Sequence, residues 1–202
     1  MSRHTMTQTA PDLRMTYEQY LKEEVNSPTK HEFLRGVVYA MAGGTPEHAA
    51  LAASMTISLG TALRGSPCRV YSSDLRVRII ETDLATYPDM TVVCGQLEMS
   101  PDDPYATSNP SLIVEVLSDS TEAYDRGAKA AHYRRIPSLR EYVFISHREK
   151  KIEIFRRKGE NAWELSEYGP GQKAVILGCN IAVDEVYRND LEPAKQQPWQ
   201  EH

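Results

Sequence analysis

Apolar positions recur along this chain with two different periods. Leu51, Met55, Leu59 and Leu63, with Ala52 and Ala62 beside them, mark one face of a helix. Ahead of them, Thr45-Pro46-Glu47 supplies a cap, a proline at the first helical position and a first-turn acid. A helix is therefore predicted over about 46–63, ended by Gly65. Thr16 with Gln19 three residues on forms a capping-box pattern and predicts a short helix. A third helix is expected from about Thr121 to Arg135, stopped by Pro137.

Strand-length apolar runs stand at 69–72, 75–80, 90–94 and 112–117. The alternation Arg76-Val77-Arg78-Ile79 suits a half-exposed strand. Residues 141–146 and 151–156 read as a hairpin, 163–168 and 174–176 as further strands, and 183–187 as a last helical turn. His31 to Gly36 reads as a turn of helix or a strand entry before a hairpin strand over 37–41. Residues 95–110, rich in Pro, Asp and Ser, read as a long surface loop. The pattern predicts a mixed α/β fold, one sheet with helices against it. Residues 1–14 and 189–202 are expected to be disordered tails around a single domain spanning 15–188.

Glu115 interrupts the most apolar of the runs, Leu112-Ile113-Val114-Glu115-Val116-Leu117. A carboxylate there is costly to desolvate unless a metal, a cation or a shared proton compensates it. A second acid, Asp89, follows Pro88 at the mouth of the 90–94 strand. Two carboxylates offered by two core strands are what a hard divalent cation needs. Each has a plainer reading, an edge-strand glutamate facing water and a Pro-Asp turn opener. His48 falls at the third position of its helix, where it caps, packs or reaches a cleft. Asp74 opens a turn or a strand near the same sheet end and is kept as an accessory candidate.

Composition narrows the classes. The 202 residues are enough for one domain with a sizeable core, and no apolar stretch is long enough for a membrane span. The amino terminus lacks an apolar signal core, which makes the cytoplasm the expected location. Cys68, Cys94 and Cys179 are far apart and odd in number, which argues against a zinc site and a disulfide framework. The net charge of −5 means that any nucleic-acid surface must be local. Its candidates are Arg126, Arg134, Arg135 and Arg140, and the group Lys150, Lys151, Arg156, Arg157 and Lys158, which read equally as solvated faces.

Taken together, Glu32-Phe33-Leu34-Arg35-Gly36, Pro88-Asp89, the Glu115 strand, Asp125, Lys129 and Tyr133, and Glu141-Tyr142-Val143 resemble the PD-(D/E)XK nuclease superfamily, and within it the Uma2 family of restriction-type endonucleases. The resemblance spans roughly 15–188. It implies a restriction-endonuclease-like core, a central mixed sheet flanked by helices with extra antiparallel hairpins. It also implies a metal-dependent endonuclease acting on DNA, with a homodimer for cutting both strands. One departure is plain: the superfamily places a lysine two residues after the second acid, and position 117 is Leu. Lys129 on the following helix then supplies the ammonium, with Asp125 and Tyr133 one turn to either side on the same face. The resemblance assigns Mg²⁺ or Mn²⁺ to Asp89, Glu115, the Val116 carbonyl and Glu32, an all-oxygen set. Two other readings stay open: a non-catalytic binding or regulatory protein that keeps the fold, and a hydrolase of small phosphoesters.

Overall fold

The computed structural model describes residues 14–41 and 43–188; the expected tails, apart from Arg14, lie outside them. The chain begins with α1 (Tyr17–Glu24), capped reciprocally by Thr16 and Gln19 as the sequence predicts. β1 (His31–Leu34) and β2 (Val37–Ala40) form a tight hairpin. Arg35 and Gly36 both take positive φ at its turn (50° and 88°), which resolves the ambiguous 31–36 segment as strand. α2 (Pro46–Ala62) follows with Thr45 as its cap.

Among the described residues, fourteen strands are shared between two sheets and a ribbon rather than gathered in one sheet, and both large sheets are mixed. The first sheet has the order β2-β1-β5-β4-β8-β7, where β4 is Arg76–Ile79, β5 Leu84–Thr86, β7 Met99–Ser100 and β8 Asp103–Thr107. The second runs β12-β11-β10-β9-β6-β3: Trp163–Tyr168, Ile152–Arg157, Glu141–Ile145, Leu112–Val116, Met90–Cys94 and Cys68–Ser72. Its centre is the parallel pair β9–β10, flanked by antiparallel neighbours. β13 (Lys173–Ile176) and β14 (Cys179–Ala182) form the ribbon, and α5 (Val183–Val186) closes the described chain.

The second sheet buries both faces, so its central strands are buried at every position and mostly apolar. On one face Leu51, Met55 and Leu59 of α2 pack on Val92, Leu112, Val114 and Val143, with the ribbon and α5 completing that core. On the other, Ile113, Leu117, Tyr142 and Phe144 meet Ala130, Tyr133, Ile136 and Leu139, together with Val77, Ile79 and Leu84 of the first sheet. The Glu115 side chain belongs to this second face, between the sheets.

Four expectations are corrected. Residues 95–110 are not a plain loop: β7 and β8 extend the first sheet, with Asp103 buried beside Arg76 (3.3 Å). β4 is not half-exposed. Its two arginines are buried, Arg76 over the Tyr20 and Tyr87 rings and Arg78 between Asp83, Asp102 and Tyr17. Their ring and carboxylate partners come from distant segments and are invisible to local alternation. The predicted 121–135 helix is α3 (Glu122–Tyr124), a π-turn over Asp125–Lys129, and α4 (Ala130–Tyr133). Finally, Cys68 and Cys94 face each other across β3 and β6 and are joined by a disulfide, leaving Cys179 as the free cysteine among the described residues.

Candidate active site

The strands and the interrupted helix converge on one buried acid cluster. Glu115 occupies the end of β9, and Asp89 immediately precedes β6, which pairs with β9. The two are laced by backbone: Val116 N–H donates to Asp89 Oδ2 at 2.8 Å, and Asp89 N–H to Glu115 Oε2 at 3.3 Å. Lys129 reaches down from the π-turn, its Nζ 2.9 Å from Glu115 Oε1, 3.0 Å from Glu32 Oε1 and 3.6 Å from Asp125 Oδ1. Tyr133, one turn further, donates its hydroxyl to Glu115 Oε1 at 2.9 Å. Glu32 arrives from β1 of the other sheet and also accepts hydrogen bonds from Thr86 and Tyr124. Leu117, where the superfamily pattern wants lysine, is packed in the core with Ile113.

His48 completes the group from the first turn of α2, with Nε2 3.1 Å from Asp89 Oδ2. The side chains of His48 and Asp89 retain 19% and 20% exposure, against 6% for Lys129 and 4% for Glu115, so those two form the mouth. Asp74 is not part of the cluster. It sits on an exposed turn, where it pairs with Lys30 and Ser72.

Electrostatics follow from four acids gathered around one ammonium. Burial pushes the Glu115 carboxyl up to about 8; Lys129 opposes this, and Asp89 and Asp125 add to it. Burial likewise raises Asp125, again against Lys129. Burial works against the charge on Lys129, but Glu115, Glu32 and Asp125 outweigh it and hold the ammonium well above its ordinary range. The His48 imidazole is raised by its hydrogen bond to Asp89, with burial opposing. The cluster thus gathers more carboxyl groups than cations.

The donor set fits a hard divalent cation. Asp89 Oδ2 and Glu115 Oε1 are each engaged by two donors, whereas Asp89 Oδ1 has no partner among the described residues and Glu115 Oε2 has only the long backbone contact. Among the described residues no three His, Cys, Asp or Glu side chains form a ready-made ligand set. Two carboxylates are a set that a hard divalent cation would complete with water.

Sequence reasoning brought Asp89, Glu115, Lys129, Asp125, Tyr133, His48 and Glu32 to one place, and it missed Thr86 and Tyr124. Thr86 lies on the strand leading into Pro88-Asp89 and could have been read from that proximity. Tyr124 is five residues before Lys129, an offset that shares a face only when the helix widens to i→i+5 spacing.

The fold and the acid cluster define a restriction-nuclease-like α/β class. The chain belongs to the Uma2 family, whose description is "Putative restriction endonuclease" and whose model matches residues 16–182. It is 34% identical over 184 residues to "Uncharacterized protein slr1290" of Synechocystis, covering 89% of this chain and 94% of that one. It is 31% identical over 153 residues to a second Synechocystis protein, "Uncharacterized protein sll1609", covering 76% and 86%. Among solved structures it shares its fold with "a putative nuclease belonging to DUF820" from Anabaena variabilis, with a TM-score of 0.69, 14% identity, and coverage of 86% of this chain and 97% of that one.

Proposed function

We propose that the chain is a divalent-metal-dependent endonuclease that hydrolyses phosphodiester bonds in DNA. The observation that carries this reading is the pair Asp89 and Glu115, Asp89 Oδ1 having no donor among the described residues and Glu115 Oε2 only a long backbone contact, beside the buried ammonium of Lys129. Family membership supports the substrate class. Asp89, Glu115 and the Val116 carbonyl would hold Mg²⁺ or Mn²⁺, with Glu32 lending its charge. When bound, the ion supplies Lewis-acid charge at a phosphate oxygen and eases deprotonation of an attacking water.

The chain's own residues do the rest. Lys129 stays charged, so it acts by neutralising charge that grows on the phosphate rather than as a base. Tyr133 and the Lys129 ammonium fix the Glu115 carboxylate in one orientation. Asp125 and Glu32 hold Lys129 in place. A phosphate reaches the group from the Asp89–His48 side, where the cluster opens to solvent. Cutting a duplex takes two such sites, and the proposal includes a homodimer.

The test is relaxation and linearisation of supercoiled plasmid in Mg²⁺ or Mn²⁺. Cleavage is expected with metal, and is expected to vanish with chelator and in Asp89→Ala and Glu115→Gln. Cleavage by Glu115→Gln at the native rate would overturn the reading. A second reading, a binding protein that keeps the fold, draws on the near-complete enclosure of Lys129 and Glu115; it predicts DNA binding without metal and no cleavage.

A further inference from the structure

Resting on the metal-site reading above, we infer that His48 is a positioning residue that decides which oxygen of Asp89 faces the ion. Asp89 Oδ2 is held from two sides, by Val116 N–H at 2.8 Å and by His48 Nε2 at 3.1 Å. With that oxygen occupied, the carboxylate cannot rotate without breaking both contacts, and Oδ1 is left as the oxygen without a donor among the described residues. The backbone hydrogen bond alone would leave the outer side of Oδ2 to water, because Asp89 stands at the mouth of the cluster.

The imidazole is itself fixed. His48 stands three residues after the cap, where its backbone N–H donates to Thr45 Oγ1 at 3.2 Å, so the 17-residue α2 sets the Cα position. On the other side of the ring runs Gly44: a methyl group built there would lie 2.7 Å from His48 Nδ1. The imidazole thus engages the Asp89 carboxylate and the Val116 backbone, with the space beside Nδ1 left open by Gly44. Partners that orient a metal ligand from outside typically govern affinity by about ten- to a hundredfold.

The test is calorimetric titration with Mn²⁺ at fixed pH on the full chain, comparing the native protein with Asp89→Asn, His48→Ala, His48→Gln and Gly44→Ala. His48→Ala is expected to bind Mn²⁺ about ten- to a hundredfold more weakly. His48→Gln, which restores an N–H donor of similar reach, is expected to recover most of that loss. Gly44→Ala, which displaces the ring, is expected to weaken binding in the same direction. Thermal unfolding in chelator reports whether each variant is folded. Plasmid cleavage by His48→Ala should return when Mn²⁺ is raised to saturation, a recovery that neither a packing role nor a substrate contact would give.

The inference is overturned if folded His48→Ala binds Mn²⁺ like the native protein while Asp89→Asn does not. It is overturned equally if His48→Gln is as weak as His48→Ala. Flat heats for the native protein and Asp89→Asn alike would instead remove the metal-site reading itself.

Discussion

Glu115 experiences opposing influences: deep burial, one ammonium at 2.9 Å, and the neighbouring charges of Asp89 and Asp125. Its carboxyl is pushed from the ordinary 4.5 up to about 8. A folded-state pKa above the unfolded one means that the native protein binds the proton more tightly. Stability from this group is then fully present below about 4.5 and is lost as pH rises through about 8. A divalent ion competes with that proton. The rise in melting temperature on adding Mg²⁺ should therefore be small at pH 5 and large at pH 8.5, measured by calorimetry; a rise independent of pH would contradict the assignment. Glu115→Gln removes one ionisable carboxyl from the cluster and keeps an acceptor for Tyr133. It should fold as well as the native protein in chelator and lose the Mg²⁺ response.

Lys129 is different, because its removal leaves Glu115, Glu32 and Asp125 facing one another with no cation between them. Stripping one partner from a buried pair costs about 3–5 kcal/mol. Lys129→Met should unfold correspondingly earlier in denaturant without metal, still bind Mn²⁺, and lose about 10²–10³ in turnover. Native turnover in that variant would move the cationic role elsewhere.

At the scale of the element, the π-turn at Asp125–Lys129 is what a plain helical reading of 121–135 lacks. Sequence periodicity fixed the face shared by Asp125, Lys129 and Tyr133 but could not show that Tyr124 turns onto it. The Glu115 and Asp89 strands were legible because their signals are local: an acid inside an apolar run, and Pro-Asp at a strand mouth. The buried arginines of β4, the strands inside 95–110 and the Cys68–Cys94 link were not, because each depends on which distant segment becomes a neighbour. The cysteines illustrate this well, since only the antiparallel register of β3 and β6 puts them opposite each other. That link closes a loop with a sequence separation of 26 and ties the edge strand β3 to β6, the strand that follows Asp89. Chain-entropy arguments give it about 3 kcal/mol. Cys68→Ser with Cys94→Ser should lower denaturant stability by up to that amount; an unchanged midpoint would mean the link contributes nothing in solution.

Over the whole molecule, charge works against an extended nucleic-acid surface. The net charge is −5, and several arginines that looked available for phosphate are committed to the fold. Arg126 pairs with Glu122 and Glu153, Arg156 with Glu141, and Arg157 donates to four backbone carbonyls. DNA affinity in chelator should therefore be no better than the non-specific range, about 10⁻⁴–10⁻⁶ M. It should rise when Ca²⁺ or Mg²⁺ neutralises the acid cluster. Fluorescence anisotropy decides this, and tight binding without metal would favour a binding protein over an enzyme. Among the described residues no helix is long and apolar enough to cross a membrane.

The enzymatic expectations depend on one ion held beside Asp89 and Glu115. A crystal soaked in Mn²⁺ and measured at the manganese edge tests this directly. The account predicts one anomalous peak at the Asp89 and Glu115 carboxylates. A structure with Mn²⁺ bound elsewhere, or with no peak at these acids under saturating metal, would contradict it.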